Sequence, residues 1–358
     1  TRANEDGSVS VFVGASDLPS RTRWRVEVRL PADAAYFETR ALWENPTPLE
    51  QPYYNWMTGA AFARDDLVLS VQGDTYLGHP GEEHTWPVDS AGRTLTEYSE
   101  NRFGGNKSYH VVGRDEDFFG GYYRDDDYGF GHWSPYSEMP GQKIWLWALS
   151  RQGGIWEDLL TDTDGQYVEF QAGRLLVQYS PTGAVNPISE VGFDPGATDR
   201  WTETWFPVEA LGGLTDAARD GAMHVEVEDG RIEVRAHAFR ETSGEVRFLV
   251  DGVEQAASRH DFEVLEPVRV TFDLPAGGQK YRVEIRALEL AYDSDPESDE
   301  LSRPFSTPPG AWSGMPEADV QVYEARQLVR GRRLPEARRV YETVLAAEPW
   351  KREALLGL

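Results

Sequence analysis

Polar and apolar residues alternate with a period of two over 25–30, and the pattern returns at 36–43, 67–71, 108–112, 144–149 and 167–170. Clusters of Gly, Pro, Asn and Asp separate these runs. A period of two sends successive side chains to opposite faces of a sheet, and regular turn punctuation favours antiparallel strands. Residues 1–220 are therefore expected to form a mainly β domain of antiparallel strands, with almost no helical periodicity. Cleaner alternation follows at 224–227, 231–236, 245–250, 268–274 and 281–287, with turn signals at Asp251-Gly252 and around Gly277. That spacing predicts a small immunoglobulin-like β-sandwich over 221–292.

The pattern then changes. Residues 293–316 are rich in Asp, Glu, Ser and Pro and read as a linker. Over 317–358, Ala325, Leu328, Ala337, Tyr341, Leu345 and Pro349 carry the small and aromatic spacing of a tetratricopeptide helical hairpin. A single repeat buries its face only against a neighbour, so this one is expected to be truncated and to meet further repeats or a protein partner.

Charge narrows the partners. The 358 residues carry 61 Asp and Glu against 35 Lys and Arg, a net charge of −26 with no basic patch. Nucleic acid and anionic membrane surfaces are excluded on that ground, and no apolar run approaches the roughly 18 residues of a membrane span. With no cysteine, disulfides, thiolate nucleophiles and Cys-ligated metals are excluded, while the compartment is left open.

The remaining chemistry centres on aromatic rings, carboxylates and histidines. Ten of the twelve tryptophans fall within 1–220, more than one core requires. Aromatic faces stack on sugar C–H faces while carboxylates and Arg take the hydroxyls, so an oligosaccharide or glycoside is the expected ligand. If the chain turned back at Thr163, Glu157 would stand opposite Glu169 on a paired strand, with Cβ atoms about 5 Å apart. Two carboxylates so placed would drive one pKa up, as glycoside cleavage requires. Four of the seven histidines, His79, His84, His110 and His132, lie in or beside glycine-rich turns, where ligands approach closely. No His-Glu-x-x-His helix and no complete calcium loop is present, and Asp125-Asp126-Asp127 and Asp162-x-Asp164-Gly165 read as solvated turns. Neither a metal nor a cofactor is expected. Phosphate-cradling loops and serine nucleophile elbows are absent.

Longer motifs carry a resemblance. Tyr53-Tyr54-Asn55-Trp56-Met57-Thr58, Phe119-Gly120-Gly121-Tyr122-Tyr123 and Gly129-Phe130-Gly131-His132-Trp133 are similar to a bacterial family. So, more closely, is the stretch from Lys143-Ile144-Trp145-Leu146-Trp147 through Trp156-Glu157-Asp158 to Tyr167-Val168-Glu169-Phe170-Gln171-Ala172-Gly173-Arg174. This is the family of domain of unknown function 5107, commonly followed by tetratricopeptide repeats. The resemblance covers about residues 24–215. It implies a galactose-mutarotase-like antiparallel β-supersandwich, with another half-domain usually upstream. Glu169 resembles the strand-borne glutamate that serves as base in aldose epimerases. Those enzymes place a histidine after an Asn where Asn55-Trp56-Met57 stands here.

Three functions follow as expectations. The first is glycoside cleavage, with Glu169 as base or nucleophile, Glu157 as proton donor, and His110 and His132 assisting. Trp56, His79, Trp133, Trp156, Arg151, Gln171 and Arg174 would then contact the sugar. The second is an aldose 1-epimerase using Glu169 and a histidine. The third is a non-catalytic carbohydrate-binding module joined to a protein-interaction repeat.

Overall fold

The computed structural model describes residues 1–358 apart from 54, 79–82, 148–149, 155–156, 162–163, 175–190, 276, 278, 297–315 and 331. The antiparallel, mainly β architecture expected from the alternation is present. Its first part is built on two sheets. One has eight strands, in the order Arg2–Ala3, Val9–Ser16, Arg23–Leu30, Phe37–Glu44, Thr198–Glu209, Tyr128–Trp133, Phe118–Tyr123 and Leu67–Ser70. The other has six, in the order Trp56–Phe62, Tyr167–Gly173, Gly141–Leu146, Lys107–Val112, Thr75–Leu77 and Glu83–Thr85.

The sheets pack face to face because alternate residues on each are apolar. Tyr109, Ile144, Leu146, Val168, Phe170 and Ala172 from the six-stranded sheet meet Leu67, Leu69, Phe119 and Trp201 from the other in one buried cluster. Gly59 belongs to this layer: a Cβ there would lie 2.7 Å from the Trp205 ring. The opposite side of the eight-stranded sheet is also covered. Phe118, Tyr122, Phe206 and Val208 pack on Leu211, Leu214, Ala217, Ala222 and Phe239.

Several of those covering residues lead into a second sandwich. Its two four-stranded sheets run Asp216–Ala218, Gly221–Glu228, Arg231–Ala238, Val268–Asp273 and Val253–Phe262, Thr242–Val250, Tyr281–Ile285, Leu290–Asp293. Met223, Val234, Phe248 and Val283 fill the space between them. Helices Glu317–Arg330, Leu334–Ala347 and Arg352–Gly357 follow, joined by Ala325, Ala337, Tyr341, Val344 and Ala354. These include the small and aromatic positions expected of the helical hairpin. Among the described residues no helix is long and apolar enough to cross a membrane.

One expectation about the first part is overturned. Residues 157–169 do not form a hairpin that sets Glu157 across from Glu169. Glu157 opens a short helix, Glu157–Leu160, and another, Arg151–Gly154, precedes it. The local chemistry accounts for this. The Ser150 hydroxyl accepts the Gly153 N–H at 3.1 Å, an N-terminal cap, and Gly153-Gly154 offers no side chain to a sheet face. The Thr161 N–H donates to the Glu157 carbonyl at 3.2 Å and ends the second turn. The strand that pairs with Tyr167–Gly173 is Gly141–Leu146, so Glu169 faces Trp145 on one side and Ala60 on the other.

Asp216 ties the ends of the second sandwich together by accepting the Ala291 N–H at 2.6 Å. Burial pushes its carboxyl up to about 7, against a lowering from that hydrogen bond. A carboxyl raised on folding contributes most below its unfolded pKa, and the contribution is lost as pH rises through the folded value. Thermal or urea unfolding should therefore show stability falling between about pH 4 and 7, by up to about 1.4 kcal/mol per pH unit. Asp216→Asn, which keeps the acceptor, should flatten that slope.

Candidate functional site

The face of the six-stranded sheet turned away from the core concentrates the chain's polar chemistry. Registry decides which side chains meet there. His110 pairs with Lys143, Lys143 with Gln171, and Gln171 with Thr58. One step along, Ser108 pairs with Trp145, Trp145 with Glu169, and Glu169 with Ala60. Their neighbours Tyr109, Ile144 and Phe170 point into the core, so the period of two places both rows on the other face.

Trp56 closes this cluster at the edge strand. It stands opposite Gly173, where a Cβ would come within 1.9 Å of its ring. Only glycine at 173 lets the indole lie across the sheet. From there the indole N–H donates to the Gln171 side-chain oxygen, and the Gln171 amide donates to the Glu169 carboxylate. The chain of donors fixes the orientation of both Gln171 and Glu169. The Trp56 ring meets His110 edge to face at 5.8 Å, and the Lys143 ammonium sits 5.8 Å from the Trp56 ring centroid. Tyr167 lies next to Glu169 on the outer rim, its hydroxyl held above the ordinary range by burial and by the Glu169 charge. Trp145 adds a partly exposed aromatic surface 6.5 Å from Tyr167.

Lys143 is the unusual group. Its residue is 2% exposed, and burial lowers the ammonium to about 8 although Glu169 favours the charge.

Four expected site residues therefore converge here: Trp56, His110, Glu169 and Gln171. The others lie elsewhere. His132 is buried between the two sheets, with Nε2 3.0 Å from Glu203 and its ring against Phe119 and Trp205. The Trp201 indole donates to the same carboxylate at 2.9 Å. This is a core network behind the site, tied through Nε2 of His132 and the Trp201 indole to one carboxylate. Trp133 borders the cluster beneath the second sandwich, on the far side of the eight-stranded sheet. Arg174 grips Asp199 with two nitrogens at 2.7 and 2.8 Å, and the Tyr53 hydroxyl donates to the same carboxylate. Arg151 is exposed on its short helix. Glu157 lines a crevice with Trp147, Gly153, Gln166 and Tyr167. His79 and Trp156 lie outside the described residues. Among the described residues no three His, Cys, Asp or Glu side chains are grouped to hold a metal.

Lys143 and Trp145 were not among the expected site residues. The signal was available for Lys143: it is one of four lysines in the chain and stands at the head of an apolar, tryptophan-rich run.

An ammonium whose pKa is lowered on folding costs stability wherever it is charged in both states. The cost is full below about pH 8 and fades toward the unfolded value near 10.5. Lys143→Met should therefore raise the melting temperature at pH 7, by the equivalent of roughly 2–3 kcal/mol. The gain should shrink steadily between pH 8 and 10.5, measured by calorimetry.

The chain is similar to several proteins of known structure. A TPR-domain containing protein from Parabacteroides distasonis is 20% identical over 60% of this chain and 35% of its own, with a TM-score of 0.47. A putative aldose 1-epimerase from Klebsiella pneumoniae is 9% identical over 57% of this chain and 52% of its own, at a TM-score of 0.40. A galactose mutarotase-like protein from Clostridium acetobutylicum is 9% identical over 57% and 64%, at 0.40. The chain thus spans between about a third and two thirds of the length of these structures. The sequence signature of one family, Domain of unknown function (DUF5107), matches residues 1–208, a stretch that holds both large sheets and the whole polar face, and the chain belongs to that family.

Proposed function

We propose that the outer face of the six-stranded sheet binds a sugar and moves protons at its anomeric centre, with Glu169 as the base. One observation carries this reading. Glu169 is a strand-borne carboxylate oriented by Gln171, flanked by Tyr167, and bordered by the rings of Trp56 and Trp145. A fixed acceptor beside aromatic rings suits a sugar whose C–H face stacks while a hydroxyl meets the carboxylate.

Among the three expected functions, interconversion of anomers is favoured. Glycoside cleavage by a carboxylate couple rested on Glu157 standing across from Glu169, and Glu157 is instead the first residue of a short helix. Anomer exchange needs one carboxylate and one proton donor, and the face carries a carboxylate with cationic and imidazole neighbours. The helical pair Glu317–Arg330 and Leu334–Ala347 suits a contact with another protein, which would place the sugar site in an assembly.

Polarimetry on a panel of free aldoses tests the reading, run beside an assay for reducing ends released from glycosides. The expected result is accelerated anomer exchange without bond cleavage. Glu169→Gln should reduce the rate by about 10²- to 10⁴-fold and leave sugar binding measurable by calorimetry. Release of reducing ends would favour glycoside cleavage. Sugar binding with no turnover, unchanged in Glu169→Gln, would make the chain a binding module.

A further inference from the structure

We propose that Lys143, rather than a histidine, is the proton donor that works with Glu169. This inference rests on the sugar-handling reading of the same face.

Position is the first argument. Lys143 lies on the central strand of the cluster, in register between His110 and Gln171. Its near neighbours on the Tyr167–Gly173 strand include Glu169, whose charge it feels. Its ammonium also lies by the face of Trp56. A sugar ring stacked on that indole would have one edge toward the carboxylate and another toward the ammonium. Both histidines in the running are placed less well. His132 is behind the sheet, committed to Glu203 in the core. His110 lies one strand further from Glu169, with Lys143 between them.

Proton affinity is the second argument. An ordinary lysine holds its proton too tightly to donate it near neutrality, and burial of Lys143 lowers that affinity to about 8, close to the optimum for an acid working near pH 7. Among the described residues, the titratable groups facing Lys143 are His110 from the Lys107–Val112 strand and Glu169 from the Tyr167–Gly173 strand, with Tyr167 beyond Glu169. The carboxylate supports the ammonium and the burial opposes it, and burial is the larger effect.

The step balances with these two groups. Glu169 takes the proton of the C1 hydroxyl, and the oxygen's electron pair forms the C1 carbonyl. The bond from C1 to the ring oxygen breaks, and that oxygen takes a proton from the Lys143 ammonium. The result is an open-chain aldehyde, a protonated Glu169 and a neutral Lys143 amine. Rotation about C1–C2 and the reverse transfers close the ring on its other face and return both protons.

The test is the pH profile of anomer exchange for the wild type, Lys143→Met, Lys143→Arg and Glu169→Gln. The wild-type kcat should fall above about pH 8, as the ammonium loses its proton. Lys143→Met should lose about 100-fold or more in kcat with KM changed only a few-fold. Lys143→Arg, which stays protonated, should keep a fraction of the rate and lose the fall above pH 8. Lys143→Met within threefold of the wild type, or a fall near pH 8 that persists in either lysine variant, would overturn the assignment. If Glu169→Gln is inactive while Lys143→Met is not, only the role of Lys143 fails. If the wild type exchanges no aldose at all, the reading of the face fails and takes this inference with it.

Discussion

The structure depends on strict alternation in three neighbouring strands, Lys107–Val112, Gly141–Leu146 and Tyr167–Gly173. Their inward rows, Tyr109, Ile144, Leu146, Val168 and Phe170, seal the space between the two large sheets. Their outward rows, His110 with Lys143 and Trp145 with Glu169, are thereby forced onto the other face. A slip of one residue would bury the charged row and expose the apolar one, at a cost of several kcal/mol per buried charge. The same burial that holds the sandwich together therefore sets the register of the candidate site.

The candidate site carries a cost to stability. A lysine residue 2% exposed is held on a β-sheet floor, where a hydrophobic side chain of equal volume would serve the fold better. The surrounding contacts make it tolerable: the ring of Trp56 on one side, the charge of Glu169 on another. Gly173 completes the arrangement by leaving room for that ring. By contrast, the polar network of His132, Glu203 and Trp201 has its hydrogen bonds directed inward. It suits a core that must bury a carboxylate without leaving it unpaired.

Much of this was legible residue by residue. Period-two runs identified the strands, and the small and aromatic spacing at Ala325, Ala337 and Tyr341 identified the helical tail, because both patterns are local consequences of backbone geometry. Glu169, Gln171, Trp56 and His110 were marked by composition and motif. Glu157 misled because its segment could be read as a strand only by assuming a turn at Thr163, whereas the Ser150 cap and Gly153-Gly154 favour short helical turns. His132 and Trp133 lie away from this face for another reason. A histidine beside glycines looks like a loop ligand, yet these glycines lie in the middle of the Tyr128–Trp133 strand.

The amino-acid sequence by itself determined which side chains share a face of each strand, since alternation is intrinsic to an extended chain. It also determined the family, through motifs running over most of residues 1–208. Only the tertiary structure decided which strands are neighbours. Pairing Lys107–Val112 with Gly141–Leu146, and that strand with Tyr167–Gly173, depends on contacts between distant parts of the chain. The two-sheet core selects among such pairings by the apolar area each one buries. That selection put Lys143 beside Glu169 and left Glu157 on a helix.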